Sequence, residues 1–129
     1  MWQFAPRRKF DRDDIAAFAD LLPREVEGVQ IRHAFEPRDE SFRDEKFFDI
    51  CRDRNIAVVL DDSDEFPTIE ADTADFAYAR FQRMNEDVPT GYDNASLDAF
   101  AERWGGAGKD VYIFMINGAK VRAPLIMKI

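Results

Sequence analysis

Residues 56–60 read Ile-Ala-Val-Val-Leu, five apolar residues in a row with no polar alternation. A strand with one wet face alternates apolar and polar side chains. A strand covered by helices on both faces of a parallel sheet does not. This run is the clearest strand in the chain, and it fixes the class of fold that the rest must serve.

The segments around it alternate in kind. Trp2-Gln3-Phe4 reads as the end of a strand, closed by Ala5-Pro6. Asp11 then suits a helix N-cap, with Asp14 in the first turn, where negative charge is favoured. Ile15, Phe18, Ala19 and Leu22 follow at helical spacing, and Pro23 stops the run. Residues 28–32 form a short strand candidate, and a charged loop, Glu36 to Glu40, follows it. Ser41 or Asp44 caps the next helix, whose apolar face is Phe47, Phe48, Ile50 and Cys51, with Arg52, Asp53 and Arg54 opposite. After the 56–60 strand comes an acidic loop, Asp61 to Glu65, and then a strand over 76–81. Ser96 caps a helix through Leu97, Phe100, Ala101 and Trp104, ended by Gly105, Gly106 and Gly108. The last strand covers 111–116.

Strands that alternate with helices imply βαβ units, right-handed crossovers and a mainly parallel sheet of about five strands, an α/β fold. Two layouts fit: part of a (β/α) barrel, or an open doubly wound sheet. No repeat or linker divides the chain, so residues 1–129 are expected to be a single domain.

Charge narrows the partners. Eighteen Lys and Arg stand against 26 Asp and Glu, a formal net charge of −8. That balance argues against nucleic acid and against anionic membranes. No stretch approaches the roughly 20 apolar residues of a membrane span. The opening residues lack the apolar core of a secretory signal, so a cytoplasmic location is expected. One cysteine, Cys51, excludes an internal disulfide, and one histidine, His33, excludes a multi-histidine metal centre. Asp61, Asp62, Asp64 and Glu65 read as a solvated acidic loop, and neither a metal nor a cofactor is expected. Cys51 sits on an apolar helix face as a buried small hydrophobe.

In parallel α/β folds the chemistry sits at the C-terminal ends of strands. There the chain offers Gln3, Arg32, His33, Asp61, Asp62, Ser63, Arg80, Gln82 and Asn117. Arg32 and Arg80 suit a phosphate or carboxylate, with Asp62, Gln3 and Asn117 beside them. Asp61 and His33 are the candidates for acid–base work.

An ordered set of short motifs carries a resemblance. Trp2-Gln3-Phe4-Ala5-Pro6, Arg32-His33, Leu60-Asp61-Asp62-Ser63, Thr73 to Arg80 and Asp110 to Phe114 together resemble the YecE-like family, domain of unknown function 72. The resemblance implies a TIM barrel whose activity is largely unassigned, and it covers that family's C-terminal part, from about the fourth strand to the eighth. A whole barrel needs about 250 residues, so a half barrel is expected, with the first three βα units absent. The chain departs from the family pattern at Gln30, where Glu is usual before Arg-His. It departs again at Gln82-Arg83, where His-Gly is usual, and at Met115-Ile116-Asn117, where Phe-Asn-Asn is usual. Each change removes a group that accepts, donates or ligates. The expected function is therefore a catalytically weak or inactive relative that acts as a structural, self-associating module. The alternative is an enzyme-like domain that binds a small anion at the strand ends.

Overall fold

The computed structural model describes residues 1–63, 65–81, 102, 109–115 and 126–128. In chain order the elements are β1 (Trp2–Gln3), α1 (Arg12–Leu21), β2 (Glu25–Val26), β3 (Val29–Gln30), β4 (Ala34–Glu36), α2 (Glu45–Asp53), β5 (Ala57–Val58), β6 (Leu60–Asp62), β7 (Phe76–Phe81), β8 (Asp110–Met115) and β9 (Ile126–Lys128); a 3-10 turn spans Glu40–Phe42.

Both helices start where the sequence supplies a cap. The Asp11 carboxylate accepts the Asp14 N–H at 3.1 Å, and the Asp44 carboxylate accepts the Lys46 N–H at 2.8 Å. Each satisfies an N–H that the helix itself leaves over. Ser41, the other expected cap, lies in the 3-10 turn, where its hydroxyl accepts the Phe10 N–H at 2.8 Å. Helix α1 stops at Pro23, which has no N–H to continue it. Beyond α2, Asn55 takes a φ of 53° and the Ile56 N–H returns to the Cys51 carbonyl at 2.9 Å. Asparagine tolerates that left-handed backbone better than most residues.

Strands β1, β4 and β5 form one parallel sheet in that order. Strands β6, β7 and β8 are parallel, and β9 adds antiparallel to β8. The 56–60 run joins the two sheets by changing partner. Ala57 and Val58 pair with β4, while Leu60 onward pairs with β7. Between them the Val59 N–H still reaches the Phe35 carbonyl at 2.8 Å. Residues 56–61 are all buried, as an unalternating run requires. The class is mixed α/β with parallel strands. The described strands do not close into a barrel, and among the described residues no helix is long and apolar enough to cross a membrane.

Three expectations change. Residues 28–32 are not a strand of the parallel sheet. Glu25–Val26 and Val29–Gln30 form an antiparallel hairpin of their own, turned by Glu27 at φ 51° and Gly28 at φ 80°. Two successive positive φ values make a type I′ turn, whose twist suits a tight hairpin. The sheet strand is β4, further on. The second change is that Asp61 and Asp62 belong to β6, not to a loop, because β7 supplies them with a parallel partner. The third is β9, in a tail where sequence periodicity showed no strand. The helix expected from Ser96 to Trp104 lies, but for Glu102, outside the described residues.

Alternation along β4 and β5 divides the sheet into two faces. Phe35, Ile56 and Val58 pack with Ile15 and Ala19 of α1 and with Phe47, Ile50 and Cys51 of α2, so both helices cover one face. Phenylalanines fill that layer, with Phe42 edge-on to Phe47 at 5.0 Å and stacked on Phe4 at 5.4 Å. On the other face Ala34, Ala57 and Val59 pack with Phe76, Tyr78 and Tyr112. Phe47 is fully buried and touches Phe10, Phe35, Phe42 and Phe48. Phe47→Ala is therefore expected to cost about 3–5 kcal/mol in urea unfolding. A loss under about 1 kcal/mol would contradict the placement of the core.

Candidate functional site

The side chain that organises the polar end of the sheet is Glu36, the last residue of β4. It follows Ala34 in alternation, so it emerges on the face away from the helices, and it is fully buried. A carboxylate out of water needs both oxygens occupied. Its Oε1 accepts from Gln3 Nε2 at 2.6 Å and from Arg38 Nε at 2.9 Å, and its Oε2 accepts from Arg80 Nη1. Gln3 reaches it because Gln3 and Glu36 are register partners in β1 and β4. Arg80 comes from β7, and Arg38 from the chain just past β4, where its guanidinium lies 4.0 Å over the Phe66 ring. All of these residues sit at the C-terminal ends of the parallel strands.

Burial pushes the pKa of Glu36 up, but the bonds from Arg80 and Gln3 and the charges of Arg80 and Arg38 outweigh it, so its pKa lies below the ordinary 4.5. Asp61 is 1% exposed, stands opposite Arg80 in the β6–β7 register, and offers its carbonyl to Thr68 Oγ1 at 2.9 Å. Tyr78, two residues before Arg80, stacks on Phe114 at 4.9 Å. Burial pushes its hydroxyl pKa up; Arg80 opposes the shift, and Glu36 and Asp61 add to it. These four groups are thus one electrostatic neighbourhood.

The sequence candidates divide between two ends of the sheet. Gln3, Arg80 and Asp61 meet at the C-terminal end. Asp62 is there too, half-buried, but pairs with Phe81 and so lies on the opposite side of β6 from Asp61. Arg32 does not join them. It precedes β4, and its Nη1 donates to Asp110 Oδ2 at 2.9 Å and to the Tyr112 hydroxyl at 3.0 Å. Its guanidinium also lies 5.2 Å over the Phe76 ring. Asp110 and Phe76 begin their strands, so Arg32 is at the N-terminal end. Arg32 and Arg80 therefore cannot grip one ligand together.

His33 is also elsewhere. Its Nδ1 accepts from the Trp2 indole N–H at 3.1 Å, and its Nε2 meets the Pro23 carbonyl at 2.6 Å. That pairing places the ring hydrogen on Nε2. The histidine ties β1 to the end of α1, and its odd position in β4 register puts it on the helix side. Ser63 Oγ accepts the N–H groups of Glu65 and Phe66 at 3.1 and 3.4 Å, a loop-turning role. Cys51 is fully buried and burial pushes its thiol up to about 12, far from a nucleophile. Among the described residues no three His, Cys, Asp or Glu side chains gather into a metal site. Asn117 and Gln82 lie outside the described residues.

Sequence reading missed Glu36 and Arg38, which looked like a charged loop. The available signal was Pro37, since a residue before proline is held extended. With Glu27-Gly28 read as a hairpin turn, Glu36 becomes a strand end.

The pH dependence of stability follows from Glu36. Its folded pKa is depressed, so its contribution is fully present above its unfolded value near 4.5 and is lost as pH falls through the folded value. Glu36→Gln leaves two guanidiniums without their anion and is expected to cost about 3 kcal/mol at neutral pH. The gap between wild type and variant should narrow steadily below about pH 4 in urea unfolding. A gap that widens on acidification would mean that Glu36 is not the ionised hub.

No curated protein and no solved structure matches the chain. One family does, described as a protein of unknown function, DUF72, and the match runs over residues 1–128. With the match spanning both sheets and the Glu36 cluster, the chain belongs to the DUF72 family.

Proposed function

We propose that the Glu36 cluster is a binding site for a small anion, a carboxylate or a phosphate, at the C-terminal ends of a segment of TIM-type barrel. One observation carries the site: two guanidiniums from different elements, Arg38 and Arg80, converge on the Glu36 carboxylate. A guanidinium has five N–H donors, and Glu36 takes one from each. Spatial order supports the barrel reading. The strands lie in chain order, β1-β4-β5 and then β6-β7-β8, with both helices on the same face. A barrel wall is wound in that way, whereas a doubly wound sheet reverses direction and carries helices on both faces. Residues 1–129 act here as one domain corresponding to the C-terminal part of such a barrel, in the cytoplasm and apart from nucleic acid, in keeping with the net charge of −8.

The site binds and orients; it does not drive robust catalysis. Of the two acid–base candidates, Asp61 lies at this end of the sheet and His33 does not. Titration with inorganic phosphate and with acetate, followed by NMR shifts of the backbone amides, tests the site. Saturable shifts centred on Gln3, Glu36 and Arg80 are expected, and Arg80→Gln should weaken them at least about tenfold. Shifts that survive unchanged in that variant, or that never appear in the wild type, contradict the site.

A second reading, self-association, rests on β1. It pairs with β4 on one side, and among the described residues no strand pairs with its other side. Met1 and Trp2 there are 47% and 40% exposed. An open edge beside apolar surface is a template for another chain. A discrete dimer is expected by light scattering at concentrations on the order of tens of micromolar, and a clean monomer would contradict it.

A further inference from the structure

The β2–β3 hairpin belongs to neither of the larger sheets and is exposed along its whole length. Its register pairs Val26 with Val29, and the Ile31 N–H continues the ladder to the Arg24 carbonyl at 2.9 Å. Antiparallel ladders alternate hydrogen-bonded and non-hydrogen-bonded pairs. Val26–Val29 and Arg24–Ile31 are therefore the bonded pairs, and Gln30 directs its N–H and carbonyl outward, away from β2. Among the described residues no strand pairs with that outer edge. Val26, Val29 and Ile31 share one face of the hairpin and are 46%, 65% and 37% exposed, whereas Glu25 and Gln30 share the other. A two-stranded hairpin is marginal by itself, and sheet edges are commonly blunted with charge. The edge formed by Val29, Gln30 and Ile31 carries none.

A twofold axis sets a strand against its own copy. Centred on Gln30, it places Gln30 opposite Gln30 of the second copy, where each N–H can donate to the other's carbonyl. Val29 then falls opposite Ile31 on the apolar face, once on each side of the axis. Arg32 falls opposite Gly28, which has no side chain, so no like charges meet. Neighbouring registers lose this match. Centred on Val29, the axis sets Glu27 against Ile31; centred on Ile31, it sets Val29 against His33, which already bonds Trp2 and Pro23. The outer edge of β2 is worse. Centred on Glu25 it opposes Glu25 to itself, and centred on Val26 it opposes Glu25 to Glu27. Like charges directly opposite are destabilising.

We propose that two copies of the chain associate through β3, about a twofold axis at Gln30, into a four-stranded antiparallel sheet of order β2-β3-β3-β2. The proposal rests on the reading that the chain self-associates, but it assigns the contact to the hairpin instead of the β1 edge, and it is independent of the anion site.

The test is light scattering of the full chain at concentrations on the order of tens of micromolar. Wild type, Gln30→Lys, Gln30→Glu and an equimolar mixture of the two variants are compared. Gln30 is exposed, so both variants keep the fold. Wild type is expected at twice the 14.9 kDa chain mass. Each variant alone sets like charges across the axis and should weaken the dimer at least about tenfold. In the mixture Lys meets Glu, and the dimer should return. A general loss of stability at position 30 would not be repaired by mixing. Variants that dimerise as tightly as wild type overturn the inference and leave the β1 reading standing. Monomeric variants that mixing does not restore overturn it too, because position 30 then does not face itself. A monomeric wild type ends both readings.

Discussion

A carboxylate buried without compensation would cost more free energy than a small domain has to spare. Glu36 is such a carboxylate, and its three donors come from positions 3, 38 and 80. The arrangement is possible only if β1, β4 and β7 present their C-terminal ends to one point. The sheet supplies this by pairing β1 with β4 in a register that sets Gln3 against Glu36, and by routing the 56–60 run from β4 to β7. The polar cluster and the strand order are therefore one constraint seen from two sides. Chain segments more than thirty residues apart are tied at a single side chain.

The two faces of the sheet carry different loads. The helix face holds the phenylalanine layer and most of the buried apolar side chains. The other face is built from small residues near the strand starts, Ala34, Ala57 and Val59, covered by Phe76, Tyr78 and Tyr112, and from charge near the strand ends. Arg32 closes the start of that face through Asp110, Tyr112 and the Phe76 ring. It does structural work at one end, while Arg80 organises the other.

What could be read from the sequence was whatever depends on near neighbours. The caps Asp11 and Asp44, the apolar face of α2, the stop at Pro23 and the full span of β7 follow from local spacing and were readable. The α/β class and the family resemblance were readable as well. Pairing choices were not. Residues 28–32 look like a strand by composition, yet a type I′ turn at Glu27-Gly28 folds them back on 25–26, and β4 takes the place in the sheet. That shift moved Glu36 from an apparent loop to the centre of the site, and it carried Arg32 to the opposite end. Single-residue polarity gives no hint of which strand a carboxylate will find across a sheet. Gln3, Arg80 and Asp61 could be placed at this end because strand-end position alone marks them.

The most direct measurement is a carbon-detected NMR titration of the Glu36 carboxyl group in the intact protein. An ionised hub clamped by Arg80, Arg38 and Gln3 must titrate below the ordinary 4.5. A value at or above 4.5 would mean that burial outweighs the three donors, and the charge-based account of this site would be wrong.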